Sequence, residues 1–196
     1  MPLCTSPNFA PTKSEPATAE KFLALYHCDH ETRIVRNILD CFGGEFPTLG
    51  RVNRLYGEGT AQEWLTYQIG QMNLFCGTQK MTGQQLITLC EYIANDFYYL
   101  KVTEVVYFFH QIKMGEYGSF YGKVDPQKIT EALIKYFLPK RAAILEKIEQ
   151  QKREEKKEEE KKNAKYAPDW IIKKHGLKKG EPLSNVFTKL KKIWKN

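Results

Sequence analysis

The sequence has 196 residues, 42% hydrophobic and 27% charged, with eleven Phe, eleven Tyr, three Trp and a net charge of +7. That much aromatic surface excludes a chain disordered throughout, and no window approaches the roughly 18 uninterrupted apolar residues of a membrane-spanning helix. The charge is uneven: Met1 to Leu138 carries −2, Pro139 to Asn163 +2, and Ala164 to Asn196 +7, so a nearly neutral body precedes a cationic arm. Such an arm suits an acidic or polyanionic partner, with solubility alone as the plainer explanation.

Residues 1–20 are rich in Pro, Ser, Thr and Ala, with neither a basic start nor an apolar stretch. They read as a disordered arm and not as a signal peptide. Five cysteines at irregular spacing argue against a disulfide framework and for a reducing cytoplasm. His27-Cys28-Asp29-His30, with Glu31 beside it and Cys41 further on, has the side chains of a zinc site but lacks paired ligand spacing. It reads as a loop before a helix, and no metal or cofactor is expected.

Residues 21–138 read as a helical globular domain. A helix over Thr32 to Phe42 uses Ile34, Val35, Ile38 and Leu39 and stops at Gly43-Gly44. Thr60-Ala-Gln-Glu63 predicts a capping box, followed by Leu65, Ile69, Met72 and Cys76 at helical spacing. Thr82-Gly-Gln-Gln85 repeats the box before the stripe Leu86, Ile87, Cys90, Ile93, Ala94 and Phe97. Val102, Val105, Val106, Phe109 and Ile112 form a third stripe ended by Gly115; their spacing favours a helix over a strand. Asp125-Pro126 then supplies a cap and a pre-set first helical residue for Ile129, Ala132, Leu133, Tyr136 and Phe137. The expected fold is all-α: a compact bundle of four to five short helices, followed by a long charged helix and a basic amphipathic tail.

Residues 139–163 keep Ile144, Leu145 and Ile148 and then become Gln, Lys, Arg and Glu only. Glu149 with Arg153 and Glu158 with Lys162 stand in the favourable i to i+4 order. With no continuing heptad of apolar positions, this reads as a solvated helical linker and not a coiled coil. In the tail, residues 164–196, a turn around Trp170 precedes an amphipathic face of Leu183, Val186, Phe187, Leu190, Ile193 and Trp194, with Lys191 and Lys192 to the side. A helix this short orders on a partner, or on its own domain.

Catalytic signals are weak. His110 and His175 have no nucleophile at a telling spacing, and the glycine pairs at 43–44 and 57–59 do not follow a strand as a phosphate loop would. Asp96, Glu104 and Asp125 are the head's candidate carboxylates for a hydrolase, without metal-site spacing. The expectation is a protein that is not an enzyme. The unusual segment is Lys113 to Lys123, in which Tyr117, Phe120 and Tyr121 alternate with three glycines and two lysines. Rings and lysines at a connector suit base stacking or a partner's side chain, whereas burial as a cap on the bundle is the structural alternative. Arg51 and Arg54 are candidate phosphate contacts.

The stretch from Phe46-Pro47-Thr48-Leu49 through Trp64, Phe97-Tyr-Tyr-Leu-Lys-Val-Thr-Glu104, Phe108-Phe109 and Gly115 to Asp125 resembles a group of small uncharacterised proteins of phages and conjugative elements of Bacteroides-type bacteria. The resemblance covers residues 46–137, leaves the tail outside and implies a genomic setting without an activity. The layout of helical head and charged arm also looks like that of phage helicase loaders. The expected function is a cytoplasmic, non-catalytic adaptor of a mobile element in DNA replication or transfer. Its tail would bind a partner protein (a replicative helicase, a primase or a host enzyme), and its head residues are candidates for nucleic acid or a partner, with the tail as the other candidate for nucleic acid. A regulatory or counter-defence protein that inhibits a host enzyme is the alternative.

Overall fold

The structure, a computed structural model, describes residues 15–27 and 35–163 together with 171, 173, 182 and 185–187. It divides into two compact units, Met1–Lys140 and Arg141–Asn196. Secondary structure among the described residues is helical, apart from isolated bridges such as Thr48 with Lys101 and Gln79 with Lys123, so the fold is all-α.

The first unit begins earlier than a disordered arm over residues 1–20 would allow. Thr18 accepts a hydrogen bond from the Lys21 amide at 3.3 Å and opens α1, Ala19–Leu25. Residues 15 and 16 are also held: Arg51 grips the Glu15 carboxylate with two guanidinium nitrogens, Nη2 to Oε2 at 2.7 Å, and the Tyr56 hydroxyl donates to the Pro16 carbonyl at 2.7 Å.

The helix expected over Thr32 to Phe42 is replaced, among the described residues, by a single 3₁₀ turn, Ile38–Cys41. Asn37 is the reason. Its Oδ1 takes the amides of Leu39 and Asp40, while Asp40 Oδ2 takes the Asn37 amide back at 3.0 Å, so this reciprocal cap starts the turn at residue 38.

α2, Leu49–Tyr56, is capped by Thr48 and tied to the segment before α5 by the Leu49 amide on the Leu100 carbonyl at 2.9 Å and the Val102 amide on the Pro47 carbonyl at 3.0 Å. Gly50 permits this approach, because a Cβ there would lie 3.3 Å from the Tyr98 ring. α3, Thr60–Phe75, buries Leu65, Ile69 and Met72 as its spacing requires. Its cap differs from the expected box: Gly59, at φ 93°, is the N-cap and makes no side-chain bond. The Ala61 amide is instead taken by Asn53 of α2 at 2.8 Å. A residue with a side chain resists that φ, so the turn falls at the glycine and Thr60 enters the helix.

α4, Gly83–Asp96, starts with the reciprocal Thr82–Gln85 box. It turns Leu89, Cys90, Ile93 and Ala94 inward, while Ile87 is exposed. α5, Val102–Lys113, is buried from Val102 through Phe109 on all sides, which makes it the central helix. Its β-branched start is helical because the neighbouring helices surround it with side chains and offer no strand edge. α6, Pro126–Glu131, is capped by Asp125 Oδ1 on the Gln127 amide at 2.9 Å. The helix passes through a π segment, Ala132–Phe137, into α7, Leu138–Asn163.

Two aromatic groups fill the core. Phe22 lies 5.1 Å from Tyr26, 5.2 Å from Tyr56 and 6.1 Å from Trp64 between ring centres. Phe108 lies 5.3 Å from both Phe109 and Phe137. Each such buried ring contributes about 1.5–3 kcal/mol relative to exposure.

In the second unit, Ile144, Leu145 and Ile148 are half-buried, and every described side chain from Glu149 to Lys161 is exposed. Arg153 pairs with Glu149 at 2.6 Å. The turn at 185–187 is closed by the Asn185 and Val186 amides on the Pro182 carbonyl.

Candidate functional site

The aromatic connector does not form one surface. After α5 the chain turns at Gly115, Gly118 and Gly122, all at positive φ, and then runs beside Gln79. The Gln79 amide donates to the Gly122 carbonyl at 3.0 Å and the Val124 amide to the Gln79 carbonyl at 2.9 Å. These bonds send successive rings to different places. Tyr117 folds inward, 5.7 Å from Phe108 and 6.1 Å from Tyr136. Phe120 packs against the core and, with Lys113, lines a cleft of about 180 Å³ that also includes Cys76. Tyr121 points out, 84% exposed, with Lys128 Nζ 5.7 Å from its ring centre. Of the rings offered for base stacking or a partner's side chain, Tyr117 and Phe120 pack against the core, as the burial alternative has it, and Tyr121 faces solvent. The Arg51 guanidinium is engaged by Glu15, a bond that raises its already high pKa. Arg54 is exposed on the same helix.

Lys123 joins a different set of residues. It lines a cleft of about 460 Å³ between the starts of α4 and α6, together with Gln84, Thr88, Leu89, Tyr92, Asp125, Gln127 and their neighbours. Ligand sites commonly occupy about 300–1,000 Å³. Several polar groups here are already engaged. Gln85 closes its box on Thr82, Asp125 caps α6, and the Thr130 hydroxyl donates to the carbonyls of Pro126 and Gln127. The Lys123 ammonium and the Gln127 side-chain amide have no partner among the described residues, and the Tyr92 ring is 57% exposed.

Burial sets the protonation chemistry of the head. It pushes the phenols of Tyr26 and Tyr117 up to about 12, helped at Tyr26 by Tyr56 and Glu15 and at Tyr117 by Tyr107 and Glu116. It also raises the thiols of Cys41, Cys76 and Cys90, which suppresses thiolate reactivity. No cluster of three or more metal-ligand side chains occurs among the described residues.

The Tyr117 hydroxyl is buried without a hydrogen-bond partner among the described residues. Tyr117→Phe is therefore expected to leave the urea midpoint at pH 8 unchanged or higher, since an unpaired buried hydroxyl is a cost of about 1–3 kcal/mol. The folded pKa lies above the unfolded one, so the unfolded chain loses its phenolic proton first, and stability falls as pH rises from about 10 to 12. The variant should lose less over that range. Destabilisation by more than about 1.5 kcal/mol at pH 8 would mean that the hydroxyl is paired.

A family model described as a family of unknown function, DUF6633, matches residues 80–179, a little over half of the chain. The chain belongs to this family. Neither the curated proteins nor the solved structures contain a match to it. The DUF6633 match starts later than the resemblance read from residue 46 and continues past residue 163 into the basic segment that the resemblance left out. All the residues lining the 460 Å³ cleft fall inside it.

Of the DUF6633 chain's tail candidates, Trp170, Leu183, Leu190, Lys191, Lys192 and Trp194 lie outside the described residues, as do Cys28, Asp29 and His30. Val186 is 1% exposed, which removes it from a partner-facing surface, whereas Phe187 is 61% exposed. The cleft residues Gln84, Tyr92 and Gln127 escaped the sequence reading. The available signal was Tyr92, a large aromatic on the polar side of the α4 stripe.

Proposed function

We propose that the chain is a non-catalytic accessory protein of a mobile genetic element, acting in the cytoplasm as an adaptor in DNA replication or transfer. The supporting observation is α7. From Glu149 to Lys161 its described side chains are all exposed and alternate in charge, so that stretch buries no face of its own and serves as a spacer between a body and a binding segment. The segment beyond, residues 164–196, carries a net charge of +7 and an exposed Phe187. Lysines accelerate encounter with an acidic partner surface, and apolar side chains seated in a groove supply the affinity. The setting among phage and conjugative-element proteins rests on the resemblance over residues 46–137.

The test is affinity capture from host lysate with the full chain and with a chain ending at Asn163. Recovery of replicative helicase or primase by the full chain alone, surviving about 0.5 M salt because apolar contacts are not screened, supports the adaptor. Recovery of an unrelated host enzyme, or equal recovery by both chains, overturns it.

A further inference from the structure

We infer that the cleft between the starts of α4 and α6 is a nucleotide-binding site, taking one base with its phosphate, either as a free nucleotide or as a unit of a single strand. The inference goes beyond the adaptor reading and does not require it. Three kinds of group converge on the cleft. Tyr92 offers an exposed flat ring on one wall, the surface on which a base of any sequence stacks. Gln127 contributes an amide with both donor and acceptor, the pairing that reads the edge of a base. Lys123 supplies an exposed cation among the lining residues, the kind of group that contacts a phosphate attached to the base.

The remaining groups fit this assignment. Asp125 lines the same cleft, and its Oδ1 accepts the Gln127 backbone N–H at 2.9 Å, so its carboxylate is committed to capping α6, and Lys123 is the cation among the lining residues. Lys128, next in sequence to Gln127, lies with Tyr121 outside the cleft, a second ring and cation on which a strand longer than one unit continues. The wall carrying Lys123 is held by the two backbone bonds to Gln79, so little ordering cost accompanies binding. A purely apolar peptide would make no use of the exposed Lys123 ammonium and Gln127 side-chain amide.

The experiment uses the full chain, so that the basic tail contributes equally to every variant. Fluorescence anisotropy is read with a labelled oligothymidylate of roughly twelve nucleotides, within the span of common single-strand sites, and with thymidine 5′-monophosphate as competitor. Tyr92→Ala should weaken strand binding about tenfold and Tyr92→Phe hardly at all. Lys123→Gln should reduce the slope of log affinity against log salt by about 0.7. Both positions are exposed, and far-UV circular dichroism checks the fold of each variant; should Tyr92→Ala unfold, the Lys123→Gln slope decides. Displacement of the strand by the mononucleotide at millimolar concentration identifies a free-nucleotide site, and resistance to displacement identifies a strand site. Wild-type affinity and salt slope in both Tyr92→Ala and Lys123→Gln, or no binding of either probe, overturns the inference. Partner capture through the tail is unaffected by these variants, so the two readings fail separately.

Discussion

Replacing Trp64 with alanine should lower the free energy of unfolding by about 3–5 kcal/mol, the range for deleting a large ring from a packed core. Trp64 is 1% exposed and packs on Phe22, and its indole N–H donates to the Tyr26 carbonyl at 2.9 Å. Gln68 Nε2 reaches the same carbonyl at 2.9 Å, so the carbonyl keeps a partner after the substitution and the cost comes mainly from the cavity. α1 depends on this contact, because its inward residue Phe22 and its C-cap Tyr26 both belong to the Trp64 group. Trp64→Phe, which keeps a ring but loses the N–H, should fall between alanine and wild type. Urea unfolding gives the comparison, and a loss below about 1.5 kcal/mol for Trp64→Ala would mean that this ring does not anchor α1.

The second large effect is expected at Glu104. This carboxylate is fully buried in the first turn of α5, and its Oε2 accepts the Lys101 amide at 2.9 Å. Lys101 in turn donates through Nζ to the Gly44 carbonyl at 3.1 Å and lies 6.0 Å from the Phe42 ring centre. The pair thus joins the start of α5 to the segment after the 3₁₀ turn. Glu104→Ala removes a charged acceptor from a site closed to water and should cost about 2–3 kcal/mol. Glu104→Gln keeps the shape and an acceptor oxygen and should cost about half as much. If alanine costs less than about 1 kcal/mol, the carboxylate is dispensable for this junction.

The legible parts of the fold were those governed by nearby residues. The Thr82–Gln85 box and the Asp125-Pro126 start each need only a few neighbours, and the 3.6-residue spacing of Val102 to Ile112 outweighed its β-branched composition. The misread starts had a close competitor: from residue 35 on, Asn37 with Asp40 sets a short turn at Ile38 in place of a continuing helix, and Gly59 displaced Thr60 as the cap. Arg51 looked available because its partner, Glu15, lies 36 positions away in sequence. The connector rings were separated by hydrogen bonds to Gln79 that no local pattern announces. The cleft was hidden for the same reason, since Tyr92 and Lys123 come to line one cleft only when two elements distant in sequence meet.

Most helices of a small protein keep one side on which mutation is cheap; α5 has none from Val102 to Phe109. Its amides are sheltered in every direction, so deuterium from solvent reaches them only when the whole head opens. The slowest exchange in the protein therefore belongs to this helix and reports the stability of the entire first unit. Substitutions along these eight positions should accumulate in the unit's history more slowly than anywhere else in it, whatever the head binds.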